Sequence, residues 1–204
     1  MEANSEVIRS IPKEVWSASI DLISKLVYPV TATTVGIGKL IEQKFSTLNE
    51  VQKIIAEQTL KEATKKVQQN SKKDFSKVIV KPQVIYTVLE NVDSQSDDSI
   101  RSLWVNLTAR ELSEGSVHPE IARLFGKLTA ADLMILSEYY SEHSSMAKLI
   151  LKSLASAYTL GILRDPKSFN HVYLKDLGLL EDVSGKWFCT TTGKELMNSI
   201  SELE

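Results

Sequence analysis

The feature that most constrains this chain is the stretch from Ser96 to Leu128, SDDSIRSLWVNLTARELSEGSVHPEIARLFGKL. Ile100, Leu103, Trp104 and Leu107 recur at three- and four-residue spacing, so they share one face of a helix. Ser96, Asp97 and Asp98 precede that face and supply a side-chain cap and negative charge at the positive helix end. Glu114-Gly115-Ser116 interrupts the pattern. Pro119 then stands where a helix opens, because a first-turn N–H has no intrahelical partner to lose. Ile121, Leu124, Phe125 and Leu128 make the next apolar face. Two helices joined by so short a turn must pack on each other or on a shared third element, and the remainder of the chain covers them.

The chain is long enough to bury a core without a metal or disulfides, with 43% hydrophobic residues over 204 positions. Its single cysteine, Cys189, excludes an internal disulfide framework and a cysteine-based zinc site, and it fits a reducing compartment. The first residues, MEANSEVIRSIPKEV, carry acids and lack an apolar centre, so no secretory signal is expected there. With eight glycines, five prolines and helical spacing of the apolar residues, the expected class is mainly α. The expected architecture is a helical bundle with a winged-helix-like β-hairpin near the C-terminus. Two regions are expected: a helical one over residues 1–74 and a helical domain over residues 75–204.

In the N-terminal region, Val15, Trp16, Ile20, Ile23 and Val27 suit an amphipathic helix. Leu26 to Gly38, LVYPVTATTVGIG, is an uncharged run of 13 residues that includes Tyr28, Pro29, Val30, Val35 and Ile37. A spanning helix needs about 20 residues, so the run is read as a buried or partner-facing segment. Insertion into a bilayer in an activated state is the competing account. Lys39 to Gln69 is a long helical stretch that buries Ile41, Phe45, Leu48, Val51, Ile55, Leu60, Ala63 and Val67. Thr47 with Glu50 three residues later has capping-box spacing, which places a break near Ser46.

The far end of that stretch is basic. Lys61, Lys65, Lys66, Lys72, Lys73, Lys77 and Lys81 face only Glu62 and Asp74, a local charge of +5, whereas Pro82 to Ser145 carries −6. The patch has no arginine and only Phe75 as an aromatic, so it lacks the groups of specific nucleic-acid recognition. A solvated helix end and linker is the expected role, with Asn70 to Asp74 as hinge.

Phe75 to Val80 reads as a short strand or an extended lead-in, and Pro82 opens a helix to about Val92 that buries Val84, Ile85, Val88 and Leu89. Thr129 with Asp132 makes a second capping box, ahead of Leu133, Met134 and Leu136. Ser144 to Leu160 carries a further helical stripe: Met146, Leu149, Ile150, Leu154 and Tyr158. His171 to Leu177 is a short helix stopped by Gly178. Leu179 to Val183, a turn at Ser184-Gly185 and Lys186 to Thr190 form a hairpin, and Thr191-Thr192-Gly193 opens a last helix through Leu196, Met197 and Ile200. Helix, hairpin, T-x-x-G and helix resemble the end of a winged-helix domain. Between His171 and Glu204 the local charge is −3, the wrong sign for a wing that reads DNA.

No catalytic motif, metal-ligand spacing or phosphate loop is present. Gly36-Ile37-Gly38-Lys39 lacks the arc that precedes a phosphate-binding lysine. His118, His143 and His171 lie far apart, and Cys189 has only Lys186 as a basic neighbour. No catalytic group, cofactor, metal or small-molecule ligand is therefore expected.

One resemblance goes beyond composition. Pro82, Leu89 and Glu90, then Asp97, Asp98, Ile100, Arg101, Leu103, Trp104, Asn106 and Leu107, then His118, Pro119, Ile121, Leu124, Leu128, Thr129 and Asp132 make a pattern similar to the abortive infection alpha (Abi-alpha) family. The resemblance covers roughly Val78 to Leu136. It implies a bacterial protein of anti-phage defence, in which an infected cell stops growing or dies before phage progeny mature. It brings no catalytic residue, so Asn106 and His118 are expected to form a structural hinge between the two central helices. Together these readings imply a non-enzymatic protein acting through a protein partner, self-association or a latent membrane-active N-terminal segment. Cytoplasmic placement, peripheral to the inner membrane at most, goes with them, and a DNA-binding winged-helix regulator is the alternative.

Overall fold

The structure is a computed structural model that describes residues 41, 43–70, 78–141 and 168–203. Among them, helices predominate and one two-stranded antiparallel hairpin lies near the C-terminus. In chain order the elements are α1 (Glu50–Asn70), α2 (Pro82–Glu90), a 3-10 turn (Val92–Ser96), α3 (Asp98–Glu114), α4 (Pro119–Phe125), α5 (Ala130–Ser141) and α6 (Phe169–Asp176). Strands β1 (Leu180–Val183) and β2 (Lys186–Cys189) and the last helix, α7 (Thr191–Ile200), complete it. The runs 26–38 and 144–160 lie outside the described residues, as do Lys72, Lys73, Lys77 and His143.

α3 is the element the others are built on, and its ends are fixed by local chemistry. The Asp97 carboxylate accepts from the Ser99 and Ile100 N–H groups at 2.8 and 3.3 Å, satisfying donors that no helical carbonyl reaches. Gly115 closes the helix in the left-handed conformation, φ 61°, with its N–H on the Glu111 carbonyl. Two cores lie on its two sides. Ile100, Leu103, Trp104 and Leu107 join one, with Val84 and Val88 of α2, Phe125 of α4, α5 and α7. Val105, Ala109 and Leu112 join the other, with α1 and with Ile85 and Leu89 of α2. α2 and α3 are therefore the wall between two apolar layers. The central helices α3 and α4 touch through Trp104 and Phe125, whose ring centroids are 4.4 Å apart, and both pack on α7.

The predicted break in the long N-terminal stretch is present, but with other residues. Thr47 donates to the Lys44 carbonyl and does not cap the next helix. The reciprocal box is Asn49 with Gln52: each side chain accepts from the other's backbone N–H at 2.9 Å. Stepping two residues on resets the helical phase. Val51, expected inside, is 62% exposed, and the buried stripe of α1 runs Ala56, Thr59, Leu60, Ala63 and Val67. The helix expected to reach Val92 ends at Glu90, and a 3-10 turn carries the chain to Asp97. That turn is pinned by Gln95, whose buried amide accepts from Thr59 at 2.8 Å and donates to the Val88 carbonyl at 2.7 Å.

The second capping box is as expected: Asp132 accepts from the Thr129 N–H at 2.8 Å, and the Thr129 hydroxyl accepts in return from the Asp132 N–H at 3.3 Å. In the hairpin, Leu180 faces Cys189 and Val183 faces Lys186. Ser184 and Gly185 both have positive φ, 55° and 81°, the pairing that matches strand twist in a two-residue turn. The T-x-x-G element acquires a physical reason. Thr190 caps α7 by accepting from the Gly193 N–H at 3.0 Å. A Cβ at Gly193 would meet the Leu179 carbonyl and would come within 2.8 Å of the Cys189 sulfur. Glycine is what lets α7 sit directly against the base of the hairpin.

Candidate functional site

Among the described residues, the side chains that do the most work away from the apolar cores form two polar junctions on α3. The first is centred on Asn106. It is buried, and its Nδ2 donates to the Ile200 carbonyl at the end of α7 at 2.9 Å. Its Oδ1 accepts from the Lys66 ammonium of α1 at 2.7 Å, and Lys66 also stands 3.7 Å from the exposed Glu202 carboxylate. One amide therefore joins three helices and supplies a donor to a carbonyl that α7 leaves open. The expected hinge between α3 and α4 is corrected here: Asn106 joins α3 to α1 and α7. Replacing Asn106 by alanine leaves the Ile200 carbonyl without its side-chain donor and leaves Lys66 only the exposed Glu202 carboxylate. The expected loss is about 1–3 kcal/mol, read from denaturant midpoints. A Lys66→Met, Asn106→Ala double variant should lose less than the sum of the singles, because the two side chains share one interaction.

The second junction is Glu111, which the sequence reading passed over. Glu111 is fully buried near the end of α3. Its carboxylate accepts from the Lys81 backbone N–H and, at 3.1 Å, from the Val117 N–H, and it lies 3.7 Å from the Lys81 ammonium. Lys81 also donates to the Gly115 carbonyl. Burial pushes the carboxyl up to about 7, against the lowering pull of the Lys81 amide, the Lys81 charge and the Val117 N–H. A signal was available in sequence, since Glu111 falls seven residues after Trp104 and so lies on the same apolar face.

The remaining predicted positions have definite places. Trp104 is fully buried, and its indole N–H donates to the Ser94 hydroxyl at 3.2 Å. Asp98 is exposed and paired with Arg101 at 2.9 Å. His118 is exposed at the N-cap of α4, ahead of Pro119, and its Nδ1 accepts from the Glu120 N–H at 3.2 Å. Of the expected hinge pair, His118 therefore serves as the cap of the following helix. In the basic patch, Lys61 pairs with Glu57 and Lys65 is exposed, whereas Lys66 turns inward to Asn106. Tyr28, Pro29, Val30, Val35 and Ile37 lie outside the described residues.

Other groups with chemical potential are engaged within the fold. His171 is buried, with the Ser168 hydroxyl 2.8 Å from Nδ1 and the Tyr139 hydroxyl 3.3 Å from Nε2. Cys189 is buried, and desolvation pushes its thiol up to about 11 despite the nearby Lys194 charge, well away from the thiolate range of reactive cysteines. Among the described residues no group of three or more His, Cys, Asp or Glu side chains is placed to hold a metal ion. No helix among them is long and apolar enough to cross a membrane.

A family model described as abortive infection alpha matches residues 45–190, more than two-thirds of the chain. The chain belongs to the abortive infection alpha family. No curated protein and no solved structure matches it. The matched span opens at Phe45, before the Asn49–Gln52 box, and closes at Thr190, the cap of α7. It therefore contains α1 to α6, the hairpin and both polar junctions except the Ile200 carbonyl and Glu202. Of the abortive infection alpha residues singled out in sequence, Asp97, Trp104, Asn106, His118 and Pro119 cap, open or pack an element of this span, whereas Asp98 is exposed and paired with Arg101.

Proposed function

We propose that the protein acts in abortive infection, arresting or killing a phage-infected bacterial cell before progeny mature. It does so without catalysis, through contacts with a protein partner or with further copies of itself. The observation that carries this reading is the family match over residues 45–190. Two features support it. The family-pattern residues are engaged in capping and packing their own fold. Large apolar side chains are turned outward on the C-terminal unit: Phe169, Val172, Val183 and Phe188, with Phe169 78% exposed.

The test is a phage challenge of bacteria carrying or lacking the gene, at low and high phage-to-cell ratio. The reading expects the culture to survive at low ratio and to arrest or collapse at high ratio. Equal lysis with and without the gene across a broad phage panel contradicts it. Placement in the cytoplasm, with at most peripheral contact to the inner membrane, belongs to the same proposal. Co-sedimentation of the full chain with anionic vesicles tests the membrane part, and no binding removes it.

The hairpin between α6 and α7 is the observation that favours DNA binding as a second reading. The local charge of −3 from His171 to Glu204 weighs against it. Tight, salt-sensitive gel shifts at low ionic strength would reverse that ranking.

A further inference from the structure

The second polar junction ties together segments that share no secondary structure. Residues 78–81 deliver the chain from α1 to α2, and they lie pressed against the turn between α3 and α4. A Cβ on Gly115 would meet the Ile79 carbonyl oxygen at 2.5 Å. Glu111 reaches across this contact. One carboxylate holds the Lys81 N–H from the connector and the Val117 N–H from the turn, and Lys81 closes the loop through the Gly115 carbonyl. Opening the connector therefore means hydrating a fully buried carboxyl, a step whose free energy depends on whether that carboxyl is charged.

We propose that Glu111 and Lys81 form a pH-operated latch that fastens the α1–α2 connector to the α3–α4 turn and loosens between mildly acidic and neutral pH. The direction follows from linkage. In the closed state the raised carboxyl keeps its proton toward neutrality, whereas once hydrated it returns to the ordinary glutamate range. Opening releases a proton in that window, so each rise in pH favours the open state. The closed latch is most stable in acid, below the ordinary glutamate value, and the added stability is lost as pH climbs toward 7.

The other charged groups around it are committed elsewhere. Among the described residues of the connector, Lys81 is the charged group that faces Glu111. On α3, Arg110 and Glu114 pair with each other at 3.5 Å on the outer side. α1, packed along α3, sends Lys66 to Asn106 and Glu202. In the turn, His118 is exposed and accepts from Glu120.

Amide hydrogen exchange on the full chain between pH 5 and 7, corrected for intrinsic rates, reads the latch directly. Protection of the Lys81 and Val117 amides should fall by about 40-fold across that window, while the Leu133 amide, bonded to the Thr129 carbonyl at 3.1 Å, should not follow. Lys81→Met removes the charge that stabilises ionised Glu111, so the fall should begin at the same pH and continue to higher pH. Glu111→Gln should flatten it. Histidine is the residue type whose charge ordinarily changes in this range, so His118→Ser is the control, and the fall should persist in it. Constant protection in the natural chain overturns the latch. A fall shared equally by Leu133, a fall in Lys81→Met that ends where the natural one does, or a fall lost in His118→Ser overturns it as well.

Discussion

Replacing Trp104 by alanine is expected to lower the unfolding free energy by about 3–5 kcal/mol, enough to unfold a marginal domain. The indole is fully buried where α2, α3 and α4 meet. It is tilted at 46° over Phe125 at a centroid distance of 4.4 Å, and its N–H is satisfied by Ser94. Alanine leaves a cavity lined by side chains from three helices, two of them, α3 and α4, fixed by side-chain N-caps, so the site has little freedom to collapse. Trp104→Phe retains most of the ring packing and gives up the Ser94 bond, with an expected loss of about 1–2 kcal/mol. Chemical denaturation with unchanged slope and displaced midpoint is the measurement. A Trp104→Ala chain as stable as the natural one would show that this residue does not hold the core.

The second large effect is expected at Gly115. Alanine there must adopt φ near 61°, which costs about 1–2 kcal/mol for a residue with a Cβ. That Cβ must also displace the Ile79 carbonyl, a backbone group held by the neighbouring Lys81 bonds. Overpacking of this kind adds about 1–3 kcal/mol. Gly178 provides the internal comparison. It too has positive φ, 72°, but nothing lies within 4 Å of its Cβ position. Gly178→Ala should therefore show the conformational cost alone. Thermal melts of the two variants separate the steric contribution by subtraction, and equal losses would mean that the connector yields freely.

The parts of this fold that sequence made legible are those written in local chemistry. Asp97, Gly115 and Pro119 each announce a helix end within one turn of the residues they serve. Thr129 and Asp132 do the same, and Ser184-Gly185 sets the hairpin register without reference to the rest of the chain. The residues missed or misplaced depend on what is far away. Asn106 satisfies a carbonyl 94 residues later, which no local pattern encodes. Glu111 shares the apolar face of Trp104, but the groups that meet it there come with Lys81, 30 residues earlier, which no local pattern encodes. Thr47–Glu50 and Asn49–Gln52 both fit the spacing of a capping box. In the structure Leu48 is buried just before the break, and the Asn49–Gln52 pair forms the box. Extending one helical phase across that break puts Val51 inside, whereas the reset phase exposes it. Lys66 reads as one more charge in a basic run, yet it is the lysine whose position on α1 faces Asn106.

If, as proposed, the residues that carry the family resemblance serve as scaffold, His118 is replaceable without loss of protection. Its ring is exposed, directly precedes Pro119, and its one polar bond to the protein among the described residues is the cap on α4. Serine caps helices as well but cannot replace histidine as a proton carrier. Phage challenge of cells carrying His118→Ser, paired with a melt of the purified variant, is the measurement. The account predicts a melting midpoint close to the natural one and undiminished protection of the culture. A variant that folds with the same midpoint and gives no protection would contradict it, placing chemistry or partner recognition on the imidazole itself.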